Sequence, residues 1–229
     1  MSYFVTGTDT GVGKTLVSCA LLRAFAAKGL RVVGMKPVAA GCDEDERNED
    51  ANKLRAASNI MASYGQINPY CFPYPVAPHI AARNAGARID SSRVLTSYNE
   101  LTSQADVVIV EGIGGFMVPL NELQDSADLV QQMELPVILV VGMRLGCINH
   151  ALLTAEAIAA RELSFAGWVA NVLDANMAAL RDNIATLEQH LAAPLLGVVE
   201  YQAQPDARVI ATQLNIKLIS EAVEKSPDK

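Results

Sequence analysis

A glycine-rich stretch near the N-terminus contains the residue types that bind phosphate. The segment GTDTGVGKT runs from Gly7 to Thr15, and five residues separate its first glycine from the Gly-Lys-Thr, one more than in the common P-loop. Backbone N–H groups of such a loop can surround an anion, and the following helix N-terminus favours negative charge. We therefore expect a phosphate-binding site, formed by Thr10, Gly11, Val12, Gly13, Lys14 and Thr15.

Two further charged residues stand at the ends of predicted strands. Lys36 follows the apolar run VVGM, and Glu111 directly ends the buried run DVVIV. A carboxylate in that position is costly unless it faces a cation or hydrogen-bond donors. Asp50 lies in the acidic segment 42–50, for which solvation is the simpler interpretation when the segment is considered alone.

The elements that would position these residues alternate between strand and helix. Strands are predicted at 3–6, 31–36, 106–112, 136–142 and 165–172, and helices at 14–28, 92–104, 125–134, 147–161, 177–191 and 205–214. This order predicts a single-domain α/β fold over residues 1–229, with a doubly wound, mainly parallel sheet flanked by helices. Residues 215–229 are expected to form a peripheral or partly flexible tail. Ligands of such sheets bind beyond the carboxyl ends of the strands.

Composition excludes several classes of partner. The net charge is −7, which disfavours nucleic acids and anionic membrane surfaces. The longest apolar runs are too short to cross a bilayer, and we expect no secretory signal. The four cysteines show no metal-ligand spacing, so we expect reduced thiols in a cytoplasmic protein.

Six segments, in order, resemble the dethiobiotin synthetases. The nucleotide loop GTDTGVGKT is followed by KPVAAG, RNEDA, VEGIGGFMVPL, LPVILVVGMRLGCINHALLTAEAI and AGWVAN. Together they span about residues 2–200. The resemblance implies a cyclo-ligase that uses ATP and Mg²⁺ to convert 7,8-diaminononanoate and CO₂, or bicarbonate, into dethiobiotin. The implied intermediates are an N7-carbamate and a carbamic-phosphoric mixed anhydride, with release of ADP and phosphate.

The resemblance also implies roles for individual residues. Lys14 and Lys36 would be catalytic. The Mg²⁺ ligands would be Thr15, Asp50 and Glu111, and the nucleotide would also contact Glu111, Gly114 and Asn171, the last at the base. The substrate would contact Lys36, Gly114, Gly146, Cys147 and Asn149. The segment RLGCIN, at 144–149, would come from the second subunit of a homodimer whose active site lies at the interface.

Two departures from the family leave alternatives open. Ala40 stands where the family more often has a hydroxyl residue, and 196–204 lacks an expected proline beside the base. Both would also fit a paralogue with a drifted substrate. A nucleotide switch of the same fold is a further alternative, although it needs neither Lys36 nor RLGCIN. Asp9 stands where partition ATPases carry the lysine that opens their loop, which disfavours that subclass.

Overall fold

The computed structural model describes residues 1–219 of the chain. The strands within them are β1 Ser2–Gly7, β2 Val32–Met35, β3 Val38–Ala40, β4 Tyr70–Phe72, β5 Val107–Glu111, β6 Val137–Met143, β7 Phe165–Val172 and β8 Leu195–Val199. The helices are α1 Lys14–Ala26, α2 Glu49–Ala57, α3 Tyr64–Ile67, α4 Pro78–Asn84, α5 Ser91–Gln104, α6 Ser126–Met133, α7 Cys147–Ala160, α8 Leu180–His190 and α9 Ala207–Ala211. No helix in this part of the chain is long and apolar enough to cross a membrane.

Six strands form one parallel sheet in the order β2-β5-β1-β6-β7-β8. Its strands are continuous β-branched runs because helices cover both faces. Phe4 and Val5, for example, pack into different hydrophobic clusters on either side of β1. The predicted fold class is confirmed, and the order places the carboxyl ends of β2, β5 and β1 side by side.

The segment between β2 and α5 was largely missed by sequence analysis. Asp50 does not lie in a loop, because α2 begins at Glu49, and Asn48 caps that helix by accepting from the N–H groups of Asp50 and Ala51. Residues 68–79, for which no element was predicted, contain β4 and the start of α4 at Pro78. β3 and β4 have three residues each, too few for a periodic signal.

The cysteine prediction is wrong for one pair. Cys42 and Cys71 are joined by a disulfide, whereas Cys19 and Cys147 are free and buried. The spacing of 29 residues between Cys42 and Cys71 does not indicate a disulfide in the sequence, because only the parallel pairing of β3 with β4 brings the two residues together.

The C-terminal part of the described chain packs on the α1 face of the sheet. Leu214, Ile216 and Ile219 are buried in the same cluster as Val5 and Leu21. Residues 220–229, which hold most of the predicted tail, lie outside the described residues.

Candidate active site

The phosphate loop connects β1 to α1 through left-handed glycines. Gly11 has φ +75° and Gly13 has φ +94°, a region that residues with a Cβ rarely adopt. Gly13 is the N-cap of α1, and no side chain caps the helix there. The first amides of α1 therefore remain available to an anion at the positive end of the helix dipole.

Asn171 supports this loop from the neighbouring strand end. Its Nδ2 donates to the carbonyl of Val12 at 2.8 Å, and a Cβ on Gly13 would lie 2.2 Å from the same nitrogen. Asn171 is buried at the end of β7. Sequence analysis predicted a contact with the base but missed this support of the loop, since the contact joins positions 159 residues apart.

The Lys14 ammonium is held by two backbone carbonyls. Nζ donates to Asp9 O at 2.9 Å and to Gly114 O at 2.6 Å, so the predicted loop residue Gly114 lies directly opposite the P-loop. Burial, and after it the positive charge of Lys36, lowers the pKa of Lys14 to about 8. An anion bound in this cavity would favour the charged form of both lysines.

Lys36 is the centre of a buried charge cluster. Its Nζ donates to Glu111 Oε1 at 2.6 Å, to Gly112 O at 3.0 Å and to Asp50 Oδ2 at 3.2 Å. Lys36 is 3% exposed and Glu111 is 1% exposed. Burial alone would lower the pKa of Lys36, but the carboxylates of Glu111 and Asp50 raise it above its ordinary value. Lys36 is therefore a charged hydrogen-bond donor rather than a base.

Asp50 keeps its negative charge for the complementary reason. Burial would raise the pKa of its carboxyl, but the positive charge of Lys36 and a hydrogen bond with Thr15 lower it. Asp50 is in the first turn of α2, where the helix dipole also favours a carboxylate. The acidic residue that sequence analysis could equally explain by solvation is thus part of the cluster.

Three oxygen-bearing side chains converge beside the P-loop. Thr15 Oγ1 donates to Glu111 Oε1 at 2.9 Å, and Thr15 also interacts with Asp50. The second carboxylate oxygen, Glu111 Oε2, is buried and has no hydrogen-bond partner among the described residues. An unpaired buried carboxylate oxygen next to a hydroxyl and another carboxylate fits a hard cation such as Mg²⁺.

One cavity of about 890 Å³ is bordered by both lysines, Thr15, Asp50 and Glu111. The predicted residues that line it are Thr10, Gly11, Gly13, Lys14, Thr15, Lys36, Asp50, Glu111, Gly114 and Asn171. Of its outer walls, sequence analysis pointed to Ala40 and to 196–204 but missed Asn48, 75–78 and Leu173. One wall contains Ala40, Asn48 and 75–78, and the other contains Leu173 and 199–202. Prolines and loop positions in these walls carry no motif that would have identified them.

The predicted residues at the start of α7 do not line this cavity. Gly146 caps the helix at φ +92°, and Asn149 is exposed. Cys147 is buried, and its amide already donates to Arg144 O at 3.0 Å. Arg144 in turn forms an ion pair with Asp9 of the phosphate loop. The start of α7 is therefore tied to the nucleotide loop but presents its amides outside the cavity.

Comparison with known proteins shows close relatives along almost the whole chain. A family model described as an AAA domain matches residues 1–208. The ATP-dependent dethiobiotin synthetase BioD of Nitrosospira multiformis is 57% identical over 217 residues, which cover 95% of this chain and 96% of the relative. The protein of the same name from Aromatoleum aromaticum is 52% identical, covering 94% and 97%.

Solved structures with the same fold are far more distant in sequence. A chain of the MinC:MinD cell division protein complex of Aquifex aeolicus is 13% identical with a TM-score of 0.59, covering 100% of this chain and 97% of that one. The septum site-determining protein MinD of Pyrococcus horikoshii, complexed with Mg-ADP, is 15% identical with a TM-score of 0.55, covering 98% and 97%. At these identities the likeness concerns the fold alone.

Proposed function

The chain belongs to the ATP-dependent dethiobiotin synthetases, and on that premise we propose that it carboxylates 7,8-diaminononanoate and closes the ring to dethiobiotin. The observation that carries this proposal is the buried ammonium of Lys36, placed between two carboxylates in the cavity that also contains the P-loop lysine. ADP and phosphate are the other products. Because the reaction consumes ATP, we place it in the cytoplasm.

The first requirement is to bring two anions together. CO₂ adds to the N7 amine to give a carbamate, and a carbamate oxygen then attacks the γ-phosphorus of ATP. In this proposal Lys14 leaves the carbonyls of Asp9 and Gly114 for the phosphate oxygens, while the P-loop amides hold the transferred group. Lys36 faces the carbamate, so that a cation lies on each side of the new phosphate–oxygen bond.

Ring closure then occurs on the mixed anhydride. The N8 amine attacks the carbamoyl carbon, the carbon–oxygen bond to phosphate breaks, and phosphate leaves with the electron pair. Lys36 stays protonated, because its carboxylate neighbours raise its pKa, and it donates to the oxygen that gains charge. The role of the cavity wall near Ala40 is to hold the carbon chain of the diamine so that N8 reaches the carbon.

Thr15, Asp50 and Glu111 are the residues that would hold Mg²⁺. The orphaned Oε2 of Glu111 supports this part of the proposal. A bound Mg²⁺ would neutralise charge on the phosphate oxygens. Since metal binding requires a carboxylate, Glu111→Gln should weaken Mg²⁺ binding, measured by calorimetry with ADP present, while Glu49→Gln at the exposed start of α2 should not.

We further propose that the protein works as a homodimer in which the start of α7 reaches the partner's cavity. Asn149 is exposed and does not line the cavity of its own chain, and Leu153, one helical turn further on, is 57% exposed. Leu153→Glu should give monomers in light scattering, with ATP binding retained and dethiobiotin formation lost. Leu123→Glu is the matched control, because Leu123 is 82% exposed but lies far along the chain from α7. A dimeric, active Leu153→Glu variant would contradict the proposal.

The experiment that tests the function uses bicarbonate labelled in carbon and oxygen. We expect the carbon label in the ureido group of dethiobiotin and one heavy oxygen in the released phosphate, since a carbamate oxygen is transferred with the phosphoryl group. Phosphate without heavy oxygen would contradict attack by the carbamate. Absence of dethiobiotin would contradict the proposed reaction.

A further inference from the structure

The Cys42–Cys71 pair lies at the junction of two segments that border the active-site cavity. Cys71 is the middle residue of β4, where it pairs with Ala39, and Cys42 follows two residues after the end of β3. The Cα atoms are 6.2 Å apart, within the range that a disulfide spans. The disulfide thus adds a covalent bond to a two-stranded sheet with only three residues in each strand.

One of the two joined segments leads to the catalytic cluster. The carbonyl of Gly41 accepts from Asn48 Nδ2 at 3.2 Å, and Asn48 Oδ1 accepts from the N–H of Asp50 at 3.0 Å. Asp50 is the ion-pair partner of Lys36. The position of Cys42 is therefore linked by three consecutive contacts to the ammonium that faces the substrate.

The other segment forms the outer wall of the cavity. Phe72 follows Cys71, and its carbonyl accepts from the N–H groups of Gly41 and Cys42 at 2.8 and 3.1 Å. Residues 75–78 then border the cavity, and a Cβ on Gly41 would lie 3.3 Å from Cβ of Pro75. The wall and the segment that leads to Asp50 pack against each other where the disulfide joins them.

The pair differs from the other cysteines in its access to solvent. Cys42 and Cys71 are both half-buried, so a small thiol or disulfide can reach them. Cys19 is buried in α1, and burial raises its pKa to about 12, which leaves it almost without reactive thiolate. In a reducing compartment a disulfide is typically transient or redox-sensing rather than structural.

We propose that Cys42 and Cys71 form a reversible redox-modification site that tightens the diamine-binding side of the cavity when it is oxidised. Glutathione disulfide is a sufficient oxidant. One cysteine thiolate attacks it and releases one glutathione thiolate, and the second cysteine thiolate attacks the mixed disulfide and releases another. The protein loses two protons and two electrons, and the oxidant becomes two glutathione thiols.

The consequence for binding follows from thermodynamic linkage. This part of the inference rests on the proposed function, because the ligand is 7,8-diaminononanoate. If oxidation holds the wall against the Asp50 segment, the diamine binds more tightly to the oxidised protein, by a factor of about five or more. By reciprocity, the diamine must favour the disulfide by the same factor.

The test measures both sides of this linkage on the full protein. Intact mass in glutathione buffers of graded ratio should show a reversible loss of two hydrogens, and saturating diamine should shift the midpoint ratio about fivefold. The KM for the diamine should be about fivefold lower after oxidation, with kcat little changed. Cys42→Ser and Cys71→Ser cannot form the disulfide, so each should show the higher KM of the reduced protein in every buffer. Cys19→Ala should respond as the native protein does.

Each failure has a distinct meaning. A mass that never changes, or that changes without any shift in the diamine's KM, would overturn the redox proposal. The mass readout needs no turnover, so a disulfide that forms reversibly in a protein unable to make dethiobiotin would refute the proposed function instead.

Discussion

The phosphate end of the cavity is buried and hydrogen-bonded between residues at or just beyond the ends of β1, β2 and β5, whereas its outer end includes exposed loop residues. Lys14, Lys36 and Glu111 are enclosed, and each polar contact of the two lysines is made to a group on another element or loop. At the outer end Tyr201 is 50% exposed, and Val76 also faces solvent. One region is thus preorganised before any ligand binds, and the other can adjust to it.

This difference separates two tasks of one active site. Charge stabilisation needs donors fixed before the reaction, because reorganising them would cost part of the gain. Holding a flexible carbon chain or a base edge needs shape more than charge, and loops can supply it. Substitutions at the phosphate end should therefore change turnover strongly, and those at the outer end should mainly change KM.

The largest effect is expected at Lys36. Lys36→Met should lower the rate of dethiobiotin formation about 10³-fold, since a preorganised cation is lost from the reacting centre. It should also destabilise the fold, because Glu111 is left buried and unpaired. Denaturant unfolding of Lys36→Met/Glu111→Gln should recover much of the stability without the turnover, and Lys28→Met on the surface should match the native protein. Normal turnover in Lys36→Met would contradict the catalytic role proposed for Lys36.

The next prediction separates two effects of an added Cβ in the phosphate loop, which are contact with a neighbouring side chain and strain in the backbone. Gly13→Ala should weaken ATP binding about a hundredfold, because its Cβ would displace Asn171 as well as strain the backbone. Gly11→Ala has the backbone strain but no neighbour within 4 Å, so the loss should be about tenfold. Calorimetric titration with ATP would measure both, and equal losses would show that Asn171 does not matter to the loop.

A smaller effect should follow the titration of Lys14. Its pKa of about 8 lies below its ordinary 10.5, so the ammonium is charged below pH 8 and neutral well above it. ATP affinity should therefore fall about fivefold from pH 8 to pH 9, with proton uptake on binding. Lys36 does not contribute in this range, since its pKa is raised. Lys14→Arg should flatten the profile, and a native profile that is already flat would contradict the shifted pKa.

The smallest effect is expected at the outer wall. Ala40 borders the cavity at the end of β3, and Ala40→Ser would add one hydroxyl near the diamine. A single hydrogen bond of about 1 kcal/mol would raise kcat/KM for the diamine about fivefold. Unchanged kcat/KM would indicate that Ala40 does not face the reacting nitrogens.

Features that depend on local sequence patterns could be predicted, whereas features that depend on tertiary contacts could not. Five of the six strands of the main sheet depend on local patterns, and their predicted positions are confirmed, whereas β8 was not predicted. Lys36 and Glu111 were found because they directly follow buried runs. Asp50 was ambiguous, because its helix is short and its charge partner is 14 residues away. The disulfide and the loop contact of Asn171 depend on tertiary pairing alone.

A nucleotide switch and a dethiobiotin synthetase differ in what triggers ADP release, so ADP release is the decisive measurement. The purified protein would be given MgATP and bicarbonate, with and without 7,8-diaminononanoate. For the proposed synthetase, we expect that ADP release requires the diamine and equals the amount of dethiobiotin formed. ADP release that is indifferent to the diamine, without dethiobiotin, would contradict it.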